Sequence, residues 1–170
     1  MRGKLALTLV LLLGVALFSV QAAMAQKADC PEKVKEIIAI NFAREIADGG
    51  YKPVTAEELK KWMDAKKDML IIDTMPLEAS YMKRHVPGAV AMEFPIPEMK
   101  KIDDKQKEAF LKLLGPNKDR LLVFYCGYTE CTRSHNGAMW AVNLGYKNVY
   151  RFPGGIEGWA QAGYPVEKGK

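Results

Sequence analysis

The sequence predicts an α/β domain with a mainly parallel central sheet covered by helices on both faces. Two observations carry this. The short runs Met69–Asp73, 89–92, Leu121–Tyr125 and 149–152 are almost wholly apolar, as strands buried on both faces are. Segments with helical start and stop signals separate them, and such alternation joins parallel strands through crossover helices. The bulk composition agrees: 170 residues suit one domain, and 49% apolar with 26% charged residues is enough for a core.

Taken in order, Arg2 and Lys4 precede an apolar run over residues 5–20, and Ala23-Met24-Ala25 offers the small residues that a signal peptidase reads. Residues 1–25 are therefore expected to be a cleaved signal peptide. The protein is then exported, periplasmic or extracellular, with no stable membrane anchor after cleavage. Removing that segment takes two basic and no acidic residues, so the formal charge falls from +5 to +3 (23 basic against 20 acidic). The lysines are interleaved with acidic residues, which reads as a solvated surface and excludes a nucleic-acid stripe.

Residues 26–50 form an N-terminal helical extension. Val34, Ile37, Ile38, Phe42 and Ile46 recur near helical spacing over residues 31–48, and Gly49-Gly50 stops the helix. It either packs on the main domain or mediates contact between copies. The domain proper spans residues 51–170. Thr55 and Glu58 make a capping box for a helix over residues 56–66. The strand Met69–Asp73 follows, then a brief helix over residues 76–83, a turn at His85-Val86-Pro87-Gly88, and the strand 89–92. Asp103 or Asp104 caps a helix through Leu114, which Gly115-Pro116 ends. The strand Leu121–Tyr125 leads to a polar loop and a helix over residues 134–143, closed by Gly145. A last strand, 149–152, runs into Pro153-Gly154-Gly155 and a final helix. Trp62, Trp140 and Trp159 fall on apolar helix faces and belong to the core.

Cys126 ends a buried strand. In open α/β sheets the ligand lies beyond the carboxyl ends of the strands, where loop N–H groups and the next helix's positive end stabilise a thiolate. Cys126 is thus the candidate nucleophile, in preference to an inert buried thiol. With Cys30 and Cys131 the chain has three cysteines, too few for a disulfide scaffold and odd in number, so their role is chemical. Cys131 lies five positions after Cys126 and reads either as an incidental thiol or as a resolving cysteine. Cys126, Cys131 and His135 fit no common zinc spacing and lack a fourth ligand, so neither metal nor cofactor is expected.

Several segments together resemble a rhodanese-type sulfurtransferase domain, from about Tyr51 to the C-terminus. Leu70-Ile71-Ile72-Asp73 is similar to the family's first core strand with its aspartate. His85-Val86-Pro87-Gly88-Ala89 is similar to its His-Ile/Val-Pro-Gly-Ala turn. The strand before Cys126 is similar to the one before the catalytic cysteine. Gly145-Tyr146-Lys147-Asn148-Val149-Tyr150, followed by Gly154-Gly155-Ile156-Glu157-Gly158-Trp159, resembles its C-terminal signature. The resemblance implies a three-layer rhodanese-like domain that transfers sulfur. Cys126 would take a sulfane sulfur from a small anionic donor such as thiosulfate and pass it from a persulfide to a thiol or cyanide, with a protein acceptor also compatible. Gly127, Tyr128, Thr129, Glu130, Cys131 and Thr132 would form the cradle, and Arg133 would bind the anionic donor. Asp73 would support the neighbouring loop, and His135 would sit near its mouth.

The sequence departs from the family in three places. The position five after the cysteine, often arginine, is Cys131, and the arginine comes seven after. Related phosphatases and arsenate reductases place theirs six after, so a phosphatase or arsenate-reductase activity stays an alternative beside a Cys126/Cys131 dithiol redox protein and a non-enzymatic sulfur carrier. Two positions after Asp73, where the family often has arginine, stands Met75, which leaves Arg84 as the aspartate's partner or leaves it with none.

Overall fold

The computed structural model describes residues 30–169; the expected signal peptide, residues 1–25, lies outside them. The chain divides into two compact units between Glu36 and Ile37. In the first, Pro31 O accepts the N–H groups of Val34 and Lys35 at 2.8 and 3.1 Å, opening the helix α1 (Glu32–Gly49). The second unit, residues 37–169, holds the rest of α1 and the whole domain.

That domain is built on a five-stranded, all-parallel sheet. Its strands are β1 (Lys52–Pro53), β2 (Met69–Asp73), β3 (Val90–Ala91), β4 (Leu121–Tyr125) and β5 (Asn148–Phe152), in the spatial order β1-β5-β4-β2-β3. The central strand, β4, pairs along its full length with β2 and β5, and Tyr125 sits beside Asp73 on one side and Phe152 on the other. Edge strands are two residues long, and β1 carries Pro53, which an edge tolerates.

The strict alternation of side chains along β4 builds two cores. Leu122 and Phe124 join Phe94, Phe110, Leu114 and Ala138 on one face. Val123 and Tyr125 join Leu59, Val86, Phe152 and Trp159 on the other. Helices α3 (Asp104–Leu114) and α4 (Thr132–Asn143) serve the first face; α2 (Ala56–Asp64) and α5 (Gly155–Gln161) serve the second. Both faces are thus covered, as the apolar strands predict. Trp159 is fully buried, while Trp62 and Trp140 pack at the core's margin.

Local signals place the helices. The Thr55 hydroxyl accepts the Glu58 N–H at 3.2 Å while the Glu58 carboxylate accepts the Thr55 N–H at 2.9 Å, completing the capping box. Asp103 caps α3 through the Gln106 N–H at 2.8 Å, and Gly115, at φ +78°, ends it. The expected short helix over residues 76–83 is instead one π-helical turn, Leu77–Tyr81. That wide turn stacks the Tyr81 ring on His85, with centroids 3.9 Å apart, and its hydroxyl donates to Ala89 O at 2.7 Å. No helix among the described residues is long and apolar enough to cross a membrane.

Candidate active site

The loop between β4 and α4, residues 126–131, sits at the carboxyl end of the central strand. A turn closes it, with the Cys131 N–H donating to Tyr128 O at 3.2 Å. Thr74 secures the strand end beneath it, giving Tyr125 O both its N–H (2.9 Å) and its hydroxyl (2.8 Å).

The first half of the loop hangs from α5. The N–H groups of Ile156 and Glu157 donate to Cys126 O and Gly127 O at 2.9 and 3.0 Å. This approach needs a glycine at the helix start. Gly155 has φ +58°, and a Cβ there would lie 2.3 Å from Cys126 O and 2.6 Å from the Gly127 carbonyl.

The second half hangs from Arg151, which is fully buried. Strand alternation puts Arg151 on the same face as Val149, in register with Phe124. Its Nη2 donates to Thr129 O (3.0 Å) and Cys131 O (3.1 Å), and its Nε to Ser134 Oγ (2.9 Å). Nη1 donates to the Tyr51 hydroxyl at 3.2 Å and pairs with the Glu45 carboxylate of α1. Every donor group of the guanidinium is thereby used, which is what lets the charge be buried. Burial pushes the Tyr51 phenol up to about 12, so it stays protonated and gives its remaining bond to His135 Nδ1 at 2.9 Å.

Inside this frame lie the two cysteines, both free thiols. Cys126 is fully buried, and its Sγ faces Cys131 O at 3.1 Å, Tyr128 O at 3.7 Å and Ser134 Oγ at 3.3 Å. Carbonyl oxygens accept only, so Cys126 presents a proton to them. Burial foremost, then its contact with Cys131, holds its thiol well above the usual range. Cys131 is the N-cap of α4 and is 9% exposed. Its contact with Cys126 foremost, then the backbone N–H groups of Arg133 and Gly127 and the charge of Arg133, pull its thiol below the usual range.

The remaining predicted residues fall on different sides. Gly127 and Tyr128 line a cleft of about 260 Å³ with Lys83, Arg84, Asp73 and Met75. Thr129, Glu130, Thr132 and His135 line a second cleft of about 390 Å³, whose far wall carries Phe42, Glu45, Asp48 and Glu98. Burial of His135 lowers its imidazole's affinity for a proton. Arg133 lines neither cleft: its guanidinium is bound to Glu93 at 3.1 Å and to Phe94 O. Asp73 accepts the Met75 N–H at 2.8 Å and bonds the Tyr125 hydroxyl, which also receives the Val86 N–H at 3.0 Å. Of the two alternatives that Met75 left open, Arg84 is not its partner; it pairs with Glu157 across the smaller cleft. The sequence reading missed Arg151, Ser134, Tyr51 and Glu45. The one available signal was Arg151 itself, a charge at an inward position of an otherwise apolar strand.

Residues 55–162 match the family model described as Rhodanese-like domain. Among solved structures, the chain is similar to a thiosulfate sulfurtransferase from Pseudomonas aeruginosa, with TM-score 0.57 and 23% identity over 74% of this chain and 22% of that one. It therefore spans less than a quarter of that protein's length. It is similar to a polysulfide-sulfur transferase from Wolinella succinogenes, solved as a homodimer, with TM-score 0.54 and 17% identity over 83% of this chain and 94% of that one. A protein of unknown function from Rhodopseudomonas palustris, described as a possible tyrosine phosphatase, matches with TM-score 0.53 and 22% identity over 76% and 93% of the two chains. These three likenesses show a common fold. With the family model matched from the α2 cap to the end of α5, the chain belongs to the rhodanese-like domain family.

Proposed function

We propose that this chain is a sulfurtransferase that holds a sulfane sulfur as a persulfide on Cys126, taken from a small anionic donor such as thiosulfate and passed to a thiol or cyanide. The observation that carries this is the thiol pair at the carboxyl end of β4, in a loop fixed on both sides, within a family fold. Loading breaks the donor's S–S bond, and sulfite leaves with the electron pair. Unloading is attack of the acceptor thiolate on the outer sulfur, with the cysteine leaving as thiolate. Lys83 lines the smaller cleft beside Gly127 and is the cation there that could meet an anion, Arg84 being paired with Glu157. Gly127 and Tyr128 line the smaller cleft and Thr129, Glu130 and Thr132 the larger, and Asp73 braces the smaller one by fixing Met75 and Tyr125. Arg133, tied to Glu93 and Phe94 O, leaves no arginine of the loop facing a phosphate-sized oxyanion, which favours sulfur transfer over phosphatase chemistry.

The donor and acceptor would meet the protein outside the cytoplasm, since residues 1–25 have the pattern of a cleaved leader. One experiment tests both statements: mass spectrometry of the protein expressed from its full sequence, before and after thiosulfate treatment. A mature N-terminus at Gln26 and a gain of one sulfur on the Cys126 peptide, lost in Cys126→Ser, are expected. A Cys126→Ser variant with full transfer to cyanide defeats the assignment.

A further inference from the structure

We propose that the larger cleft is the acceptor's binding site and that it selects a small aminothiol, a thiol carrying an ammonium group, with His135 Nε2–H as its fixed hydrogen-bond donor. This rests on the sulfur-transfer reading above and names its class of acceptor. The cleft lies wholly within the second unit, and Thr129, Glu130 and Thr132 of the Cys126 loop and the start of α4 form one wall. Two independent observations carry the assignment. The first is the direction in which the hydrogen bonds around His135 run. Its side chain is 1% exposed. A guanidinium only donates, so the Tyr51 hydroxyl accepts from Arg151 Nη1 at 3.2 Å and gives its own proton to His135 Nδ1 at 2.9 Å. Nδ1 is therefore an acceptor, and the ring proton stands on Nε2. Burial, which lowers the imidazole's affinity for a second proton, keeps it so. Among the described residues no group accepts that Nε2–H, yet none of their buried side-chain nitrogens or oxygens lacks a partner. Nε2 thus opens to solvent, and the larger cleft is the opening that His135 lines. A nearly buried donor is left there for a ligand atom that accepts, such as a thiolate sulfur.

The second observation is charge. Asp48, Glu98 and Glu130 line the same cleft without an ion-pair partner among the described residues, against Arg44 alone; Glu45 is taken by Arg151. That balance attracts an ammonium group and repels thiosulfate, whereas the smaller cleft on the other side of the loop offers Lys83. The two sides of one loop therefore differ in sign. The anionic donor is drawn to the side of Gly127 and Tyr128, the cationic acceptor to the side of Thr129 and Thr132, and the two do not compete for one entrance. A donor for sulfur and carboxylates for nitrogen match the two ends of an aminothiol. The step itself is the unloading already given. The aminothiol enters as its thiolate, its thiol proton left to solvent, and attacks the outer sulfur of the Cys126 persulfide. The persulfide's S–S bond breaks with its electron pair on Cys126, the proton of the terminal sulfur passes to Cys126, and the aminothiol leaves as a persulfide anion.

The test has two arms. The first compares sulfur transfer from thiosulfate to cysteamine and to mercaptoacetate, a cation and an anion of similar size, in wild type and in the double variant Asp48→Asn with Glu98→Gln. Both positions are exposed, so the fold tolerates the change. Comparing the cysteamine-to-mercaptoacetate ratio of kcat/KM between the two proteins cancels the thiols' own reactivities. At low salt the ratio should fall roughly fivefold or more in the variant, through KM and not kcat, and added salt should shrink it in wild type. The second arm uses Cys126→Ser, where no transfer is expected, and reads the imidazole nitrogens by NMR. His135 should carry its proton on Nε2, and its ring signals should move on addition of cysteamine and stay in place with mercaptoacetate. An unchanged ratio in the double variant, a His135 proton on Nδ1, or a preference seen only with a lysine-bearing cysteinyl peptide overturns this proposal and leaves sulfur transfer standing. A wild type that takes no sulfur on Cys126 from thiosulfate and passes none to either thiol overturns the reading beneath it.

Discussion

Cys126 and Gly127 hang from backbone N–H groups at the start of α5, whereas Thr129 and Cys131 hang from the single buried side chain of Arg151. The two anchorages fix adjacent halves of one loop by different physics. Backbone anchorage needs no side chain, only a glycine small enough to let two segments touch. Side-chain anchorage buries a positive charge and depends on filling every donor position of the guanidinium. The backbone side is tolerant of chemistry and intolerant of volume; the guanidinium side is the reverse. This places Cys126 next to the neutral anchor and Cys131 next to the cationic one.

The largest expected effect breaks the charged anchor. Arg151→Ala leaves the Thr129 and Cys131 carbonyls, Ser134 Oγ and the Glu45 carboxylate without their shared donor, a loss of roughly 3–5 kcal/mol by comparison with broken buried ion pairs. Urea unfolding midpoints at constant m-value measure it. Arg151→Lys keeps the charge but not the planar fork, so it should recover only part of the stability. A loss below about 1 kcal/mol in Arg151→Ala would show that the loop is held chiefly by α5.

Next comes the neutral anchor. Gly155→Ala adds a methyl group into the Cys126 and Gly127 carbonyls and forces a side chain onto a backbone at φ +58°. Strain of this kind costs about 1–3 kcal/mol, and the loop's first half must retreat to relieve it. The diagnostic is selectivity: hydrogen exchange should quicken at Ile156 and Glu157, whose N–H groups make the two anchoring bonds, and not at Ser134. Uniform quickening across both halves would mean that the two anchorages are one cooperative unit.

The difference between the anchorages also decided what could be read from the sequence. The alternation of apolar strands with capped helices gave the sheet and its covering layers, because capping and periodicity are local. Thr55 with Glu58, Asp103, and Gly115 all act within four residues of themselves. Gly154-Gly155 was legible as a motif, since a tight approach leaves a glycine behind. Arg151 was not, because a strand is recognised by its apolar residues, and one charge among them looks like an outward position until both faces are known to be buried. Arg133 misled for a related reason. The resemblance implied that it binds an anionic donor, but α4 begins at Thr132, and the first helical turn carries Arg133 round to Glu93 and Phe94. Arg84, one of the two alternatives left open for Asp73, instead reaches Glu157.

The smallest effect tests how far the charged anchor extends. Arg151 is neutralised by Glu45, which belongs to α1 and not to the sheet, and the Phe42 ring of the same helix lies 5.2 Å from the guanidinium carbon. Residues 37–49 of α1 are therefore the outer wall of the loop's second half and part of its electrostatic balance. Glu45→Gln keeps a hydrogen-bond acceptor of the same shape and removes only the charge. Because the Glu45 side chain is 24% exposed, water and salt replace part of what is lost, and the expected cost is about 1 kcal/mol. The stronger consequence is local. Without its carboxylate the guanidinium keeps only neutral partners, the Tyr51 and Ser134 hydroxyls and the Thr129 and Cys131 carbonyls, so its charge bears on the Cys131 thiol unopposed. Iodoacetamide labelling of Cys131 in Glu45→Gln should hold up to lower pH than in wild type, with Gly155-anchored exchange unchanged. A profile that does not move would confine the helix to a packing role and leave Arg151 as a positioning residue whose charge the thiol pair does not sense.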